Sequence, residues 1–212
     1  MELSDVKNKL KIAVLASGSG TNFQAIIDNC ATGRINAEIV LLISDNKEAF
    51  ALTRASQSGI PTEIVTPKNF TDKAEFVEKM ICLLKQSGAE LVVLAGYMRL
   101  VSATLLEAFP NRVINIHPAL LPAFPGLSAQ AQAVDYGVKI SGCTVHFVDA
   151  GMDTGPIISQ AAVPVFSTDT CETLSERILQ EEHKLYSYVI GKIAEGKVRI
   201  DDKNSRKVTI EA

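Results

Sequence analysis

Residues 12–30 read Ile12-Ala13-Val14-Leu15-Ala16-Ser17-Gly18-Ser19-Gly20-Thr21-Asn22-Phe23-Gln24-Ala25-Ile26-Ile27-Asp28-Asn29-Cys30, and this stretch decides the fold. The short apolar run 12–16, bounded by turn residues, reads as a strand buried on both faces. The glycine-rich turn 17–20 ends it, and the amphipathic stretch 22–30 reads as a helix. Outward from there the alternation repeats: strand 38–43, helix 47–58, short strand 62–65, helix 72–86, strand 91–95 and strand 113–116. Strands alternating with helices predict an α/β fold with a doubly wound, mostly parallel open sheet, whose ligands bind beyond the carboxyl ends of the strands. Past residue 140 the character changes. The longer strands 141–149 and 156–165, joined through Gly151 and Gly155, predict an antiparallel extension of the sheet. A long helix over 170–195 follows, capped within 167–170, and a polar appendage with a Val198-Arg199-Ile200 stub ends the chain.

The 212 residues carry 21 Lys+Arg against 24 Asp+Glu, a net charge of −3 that argues against nucleic acid as the main partner. With 47% hydrophobic residues, the composition is that of a globular chain able to bury one sizeable core, and a single domain is expected. Residues 1–11 alternate charged and apolar side chains, unlike a secretory signal, and runs such as 91–95 fall far short of the ~20 residues that span a bilayer. No membrane role is expected. Cys30, Cys82, Cys143 and Cys171 form no Cys-x-x-Cys pair, and the three histidines have no metal-ligand spacing, so free thiols in a reducing cytoplasm and no metal are the expectation.

Three constellations could carry chemistry. The first is Gly20-Thr21-Asn22 at the start of the first helix, where glycine permits close approach and free N–H groups favour a phosphate. A tight structural turn is the alternative, since neither a third small residue of the dinucleotide fingerprint nor a P-loop lysine is present. The second is Asn115-Ile116-His117-Pro118. Residues two apart on a strand face the same way, so an amide and an imidazole project together, and Pro118 keeps His117 extended. The third is Asp153, on the glycine-flanked loop Gly151-Met152-Asp153-Thr154-Gly155, where a solvated turn acid is the bland reading. His146 shares a strand face with Thr144 and Val148; it is either a hydrogen-bonded core residue or a group lining the cleft behind the reacting residues. His183, beside Glu181 and Glu182, reads as a boundary residue.

In order along the chain, Ser-Gly-Ser-Gly-Thr-Asn at 17–22, Leu-Ala-Gly-Tyr-Met-Arg at 94–99, Asn-Ile-His-Pro at 115–118, Leu-Leu-Pro at 120–122, Thr-Val-His-Phe-Val at 144–148 and Met-Asp-Thr-Gly-Pro at 152–156 resemble the folate-dependent formyl transferases, and among them the phosphoribosylglycinamide formyltransferase family. The resemblance runs from about residue 11 to residue 195. It implies formyl transfer from the co-substrate 10-formyltetrahydrofolate to the amine of phosphoribosylglycinamide, a step of purine synthesis, without a metal. It further implies His117 as general acid/base, Asn115 as donor to the formyl oxygen, and Asp153 as the carboxylate favouring the imidazolium. Gly20, Thr21 and Asn22 would hold the phosphate and Glu182 the ribose. Met98, Arg99, Leu100, Val101 and Asn115 would meet the pterin and Lys73 the folate tail, with Thr144 and His146 supporting from behind. The chain would divide into a nucleotide-binding half (1–110), a catalytic and folate-binding half (111–195) and an appendage (196–212), acting as a monomer or weak homodimer on small molecules. At Lys73, Ala123, Ser128 and Ala131 it departs from members that carry Arg, Lys, His and Arg.

Two rival readings have distinct signatures. A formyltetrahydrofolate hydrolase uses the same trio with water as acceptor but carries an added N-terminal domain, for which a first strand at residue 11 leaves no room; transfer to initiator tRNA would want an added basic C-terminal domain. A dinucleotide-binding module would use Asp45, after the second strand, as its ribose acid.

Overall fold

The computed structural model describes residues 8–211, so part of the N-terminal segment read above for targeting, residues 1–7, and the final residue lie outside it. In chain order the principal elements are β1 (Leu10–Leu15), α1 (Thr21–Ala31), β2 (Ala37–Ser44), α2 (Phe50–Gln57), β3 (Thr62–Ile64), α3 (Lys73–Gln86), β4 (Leu91–Leu94), α4 (Ala103–Ala108), β5 (Val113–His117), α5 (Ala129–Tyr136), β6 (Ile140–Phe147), β7 (Ile157–Pro164), α6 (Cys171–Ala194), β8 (Val198–Asp201) and β9 (Asn204–Ile210). Seven strands form one sheet in the order β3-β2-β1-β4-β5-β6-β7. From β3 to β5 all neighbours are parallel, whereas β6 runs antiparallel to both β5 and β7. The expected doubly wound sheet with an antiparallel extension is what the chain builds, and the order reverses at β1 and β4.

Alternation along β1 shows why both faces must be covered. Ile12 and Val14 pack with Phe23, Ile26, Leu174 and Ile178 of α1 and α6, whereas Ala13 and Leu15 pack on the other side with Val77, Met80 and Leu84 of α3. Tyr186 of α6 is fully buried, and its hydroxyl lies 2.9 Å from the Leu94 carbonyl and 3.1 Å from the Ile114 carbonyl, sharing one proton between β4 and β5. That bond satisfies the phenol inside the core and ties the helix to the two strands that end at the cleft.

Some expected boundaries move. Helix α2 starts at Phe50 rather than at 47, because the Asn46 side chain accepts from the Glu48 N–H at 3.0 Å and turns the backbone before the helix can begin. The short helices α4 and α5 were not anticipated, and the appendage forms a two-stranded sheet over 198–210 rather than a single stub. Val198, Ile200, Val208 and Ile210 of that hairpin pack against the core. Among the described residues no helix is long and apolar enough to cross a membrane.

Candidate active site

The carboxyl ends of β1, β4 and β5 open into a cleft of about 680 Å³, closed on its far side by β6, the 149–153 loop and α6. Asn115 and His117 reach it from β5, and antiparallel register sets His146 opposite Asn115 and Thr144 opposite His117. All four side chains therefore belong to one face, as two-residue periodicity demands. Asp153 comes from the loop between β6 and β7, in the left-handed region at φ 54°. This is a conformation in which Asp is several-fold enriched over most non-glycine residues. The loop has little freedom: a Cβ on Gly155 would lie 1.7 Å from the Phe147 carbonyl oxygen, so only glycine fits there.

These elements bring the three expected residues together. His117 Nδ1 lies 3.4 Å from Asp153 Oδ2, and His146 Nε2 lies 3.7 Å from Asp153 Oδ1. Asn115 Nδ2 sits 3.3 Å from His146 Nε2. The opposite nitrogen of His117, Nε2, is 2.8 Å from the Phe124 carbonyl, and the Gly126 N–H donates to Asp153 Oδ2 at 2.8 Å. A carbonyl can only accept, so Nε2 carries a proton, and Nδ1 facing a carboxylate is best matched by a proton as well. The surroundings of His117 thus complement an imidazolium held between two acceptors.

His146 has the opposite character. Burial pushes its pKa below the ordinary histidine value, against the smaller opposing effects of the Phe147 carbonyl and Asp153. Its Nδ1 donates to the Phe147 carbonyl at 2.9 Å, which leaves Nε2 as the acceptor for Asn115. The sequence left two roles open for His146; it is 2% exposed and hydrogen-bonded, and it also lines the cleft beside the Asn115 amide. Thr144 acts elsewhere than at His146. Its hydroxyl donates to the Ala119 carbonyl at 2.6 Å and accepts from the Leu121 N–H at 3.0 Å, pinning the segment that follows His117.

At the other end of the cleft, Gly20 precedes α1 at φ 69°, where a Cβ would meet Ala51 Cβ at 2.8 Å. No side chain caps this helix, so its first N–H groups stay available to an anion. Asn22 donates to Glu182 at 2.9 Å. Glu182 is 7% exposed, and burial raises its carboxyl pKa although the Asn22 bond works the other way. Met98, Arg99, Leu100 and Val101 line the cleft, with Met98 and Leu100 exposed on its rim.

Lys73 lies outside this cleft, in an adjoining recess of about 620 Å³ with Phe70 and Phe76, because it starts α3 on the far side of the 97–101 segment. Asp45, the ribose acid of the dinucleotide reading, faces Arg99 Nη1 at 3.7 Å. Sequence reasoning missed the Phe124 carbonyl and the Gly126 N–H. Both are main-chain groups presented by positive φ at Phe124 and Gly126, and only the Pro-rich composition of 121–126 hinted at such a loop. Among the described residues no group of three His, Cys, Asp or Glu could hold a metal ion.

An amide, an imidazole and a carboxylate thus converge at the carboxyl edge of a doubly wound sheet. The formyl transferase family profile matches residues 10–190, and the chain belongs to that family. It is 47% identical over 183 residues to the phosphoribosylglycinamide formyltransferase of Bacillus subtilis, covering 86% of this chain and 94% of that one. The crystal structure of glycinamide ribonucleotide transformylase 1 from Symbiobacterium toebii superposes with a TM-score of 0.95 at 49% identity, over 100% of this chain and 99% of the other. A formyltetrahydrofolate deformylase from Pseudomonas syringae matches at 27% identity and a TM-score of 0.88, over 96% of this chain but 66% of that one.

Proposed function

We propose that this protein transfers the formyl group of 10-formyltetrahydrofolate to the amine of phosphoribosylglycinamide in purine synthesis. The observation that carries the reading is the 3.4 Å approach of Asp153 to His117 beside Asn115, in a cleft that is also lined by the first residues of a helix with no side-chain cap. The phosphate lies against the N–H groups of Gly20, Thr21 and Asn22, Glu182 accepts from the ribose hydroxyls, and the pterin edge meets main-chain groups of the 98–101 segment. Lys73 is left to the distal folate tail.

The chemistry follows from that placement. The substrate amine attacks the formyl carbon, a C–N bond forms, and the carbonyl electron pair moves to oxygen. Asn115 donates one amide hydrogen to that oxyanion while His146 holds the other, so the donor is oriented before charge develops. His117 gives its Nε2 proton to N10 of the folate as the C–N10 bond breaks and is reprotonated by the proton that the attacking nitrogen sheds, with Asp153 stabilising the imidazolium before and after transfer. For Nε2 to reach substrate, the Phe124 carbonyl must give way, so binding exchanges one acceptor for another at that nitrogen. The four free thiols fit a reducing compartment, and we place the activity in the cytoplasm.

The likeness to a deformylase keeps water in view as a rival acceptor, and one assay separates the two. With a formyl-labelled donor, label is expected in the phosphoribosylglycinamide product and the donor is expected to persist when that acceptor is omitted. Equal release of formate with and without acceptor would overturn the proposal.

Glu182 provides a second check, through stability. Because burial raises its folded-state pKa above the ordinary carboxylate value, its contribution is fully present below the unfolded pKa and is lost as pH rises through the folded one. Glu182→Gln keeps the bond from Asn22 but removes the buried charge. It is expected to raise Tm at pH 8 by about 2–4 °C, the equivalent of ~1 kcal/mol in a chain of this size, with a smaller gain at pH 5. Since a ribose hydroxyl loses a charged acceptor, KM for the nucleotide should rise about tenfold. Paired melting curves and initial-rate kinetics measure both.

A further inference from the structure

The hairpin β8–β9 lies beyond residue 190, where the family match ends, yet it touches the loop that carries Asp153. Alternation along β9 places Arg206, Val208 and Ile210 on one side of the strand, and Val208 and Ile210 pack against the core. Arg206, itself exposed, falls on the same side of the strand as these two residues. Its guanidinium donates through Nη1 to the Thr154 carbonyl, one residue past Asp153. Its backbone is fixed too: the Arg206 N–H donates to Asn204 Oδ1 at 3.0 Å, and Asp201 Oδ1 accepts from the N–H groups of Lys203 and Asn204 at 2.8 and 2.9 Å. Among the described residues Arg206 forms no ion pair that would draw it elsewhere.

Gly155 fixes the C-terminal end of the loop, and the residue before Thr154 is the strained one. Asp153 sits at φ 54°, a conformation that costs a non-glycine residue free energy and persists only when its surroundings hold it. From within, Asp149 Oδ1 accepts from the Thr154 hydroxyl at 2.6 Å and from the Gly151 N–H at 3.1 Å. These bonds close the loop on itself, and the Arg206 guanidinium is the contact that reaches it from the hairpin. We propose that Arg206 is a positioning residue: by gripping the Thr154 carbonyl it holds the 150–155 loop so that the Asp153 carboxylate stays against His117, and the C-terminal hairpin is thereby part of the catalytic apparatus. The inference rests on the functional reading above, in which Asp153 supports His117.

Three full-length proteins test it: the unaltered chain, Arg206→Gln and Arg206→Lys. Formyl transfer and hydrogen exchange over 150–155 are read on each. In Arg206→Gln, kcat is expected to fall about tenfold, the loss matching one charge-assisted hydrogen bond, with KM for the nucleotide within twofold because its site lies at the other end of the cleft. Arg206→Lys, which keeps a donor and a charge, should recover at least a third of the lost rate. Exchange over 150–155 should quicken in Arg206→Gln while exchange over α1 stays as it was. Unchanged kcat and unchanged exchange in Arg206→Gln would overturn the inference, as would a loss with kcat and KM affected alike and no rescue by lysine. Should the unaltered chain transfer no formyl group, the functional reading fails instead, and the exchange measurement still decides whether Arg206 holds the loop.

Discussion

His117→Ala is expected to lower kcat by ~10²–10⁴-fold, the range that positioned proton transfer contributes, with a smaller change in KM for either substrate. Amine attack leaves a proton on the incoming nitrogen and demands one at the departing nitrogen. His117 is the imidazole placed to carry it, 4% exposed and touched on both nitrogens. Removing it also takes one partner from the Asp153 carboxylate, which keeps the Gly126 N–H, so a modest fall in Tm should accompany the kinetic loss. Saturation kinetics on a folded variant, checked by circular dichroism, separate the two effects. A kcat within threefold of the unaltered protein would show that the proton travels by another route.

Asn115→Ala should cost ~10²–10³-fold in kcat, the usual consequence of deleting one oxyanion donor. The geometry adds a further expectation. Neutral His146 accepts from Asn115 at 3.3 Å and owes its low proton affinity to burial, so loss of the amide leaves a buried ring nitrogen without its donor but does not charge it. A stability loss of about 1–3 kcal/mol should accompany the kinetic one, so kcat is read at a temperature where the variant is fully folded. Because Asn115 and His117 serve one transition state, the double variant should lose far less than the product of the two single losses. Full multiplicativity in that cycle would mean that the two residues act in separate steps.

What the sequence disclosed, and what it withheld, follows from the range over which each feature is determined. The strand 113–116 was legible because alternation and a following proline are local, so Asn115 and His117 pair from the sequence alone. The parallel sheet was legible for the same reason, each strand being a short apolar run between turn signals. The union of Asp153 with His117 was not. It depends on β6 folding back antiparallel to β5, on a left-handed residue, and on Gly155 lying against the Phe147 carbonyl, none of which is written in the spacing. Only the family resemblance pointed to that union. The start of α2 was obscured by the Asn46 turn, and α5 by its Ser128 cap at φ 58°, a residue type that rarely adopts that conformation. The hairpin β8–β9 was hidden by its polarity, since only Val198, Ile200, Val208 and Ile210 of its side chains pack against the core, and only partly buried. The sequence read it as surface, and Arg206 with it.

The account turns on one spatial arrangement, in which amide, imidazole and carboxylate surround the carbon that changes hands. Its most direct test is a crystal structure of the protein with phosphoribosylglycinamide and a folate analogue whose formyl group cannot be released. The analogue's carbonyl oxygen is expected within hydrogen-bond distance of Asn115 Nδ2, with the nucleotide amine beside that carbon, His117 released from the Phe124 carbonyl toward it, and Asp153 still in contact with His117. A carbonyl group bound elsewhere in the cleft, out of reach of both Asn115 and His117 while both substrates are fully ordered, would contradict it.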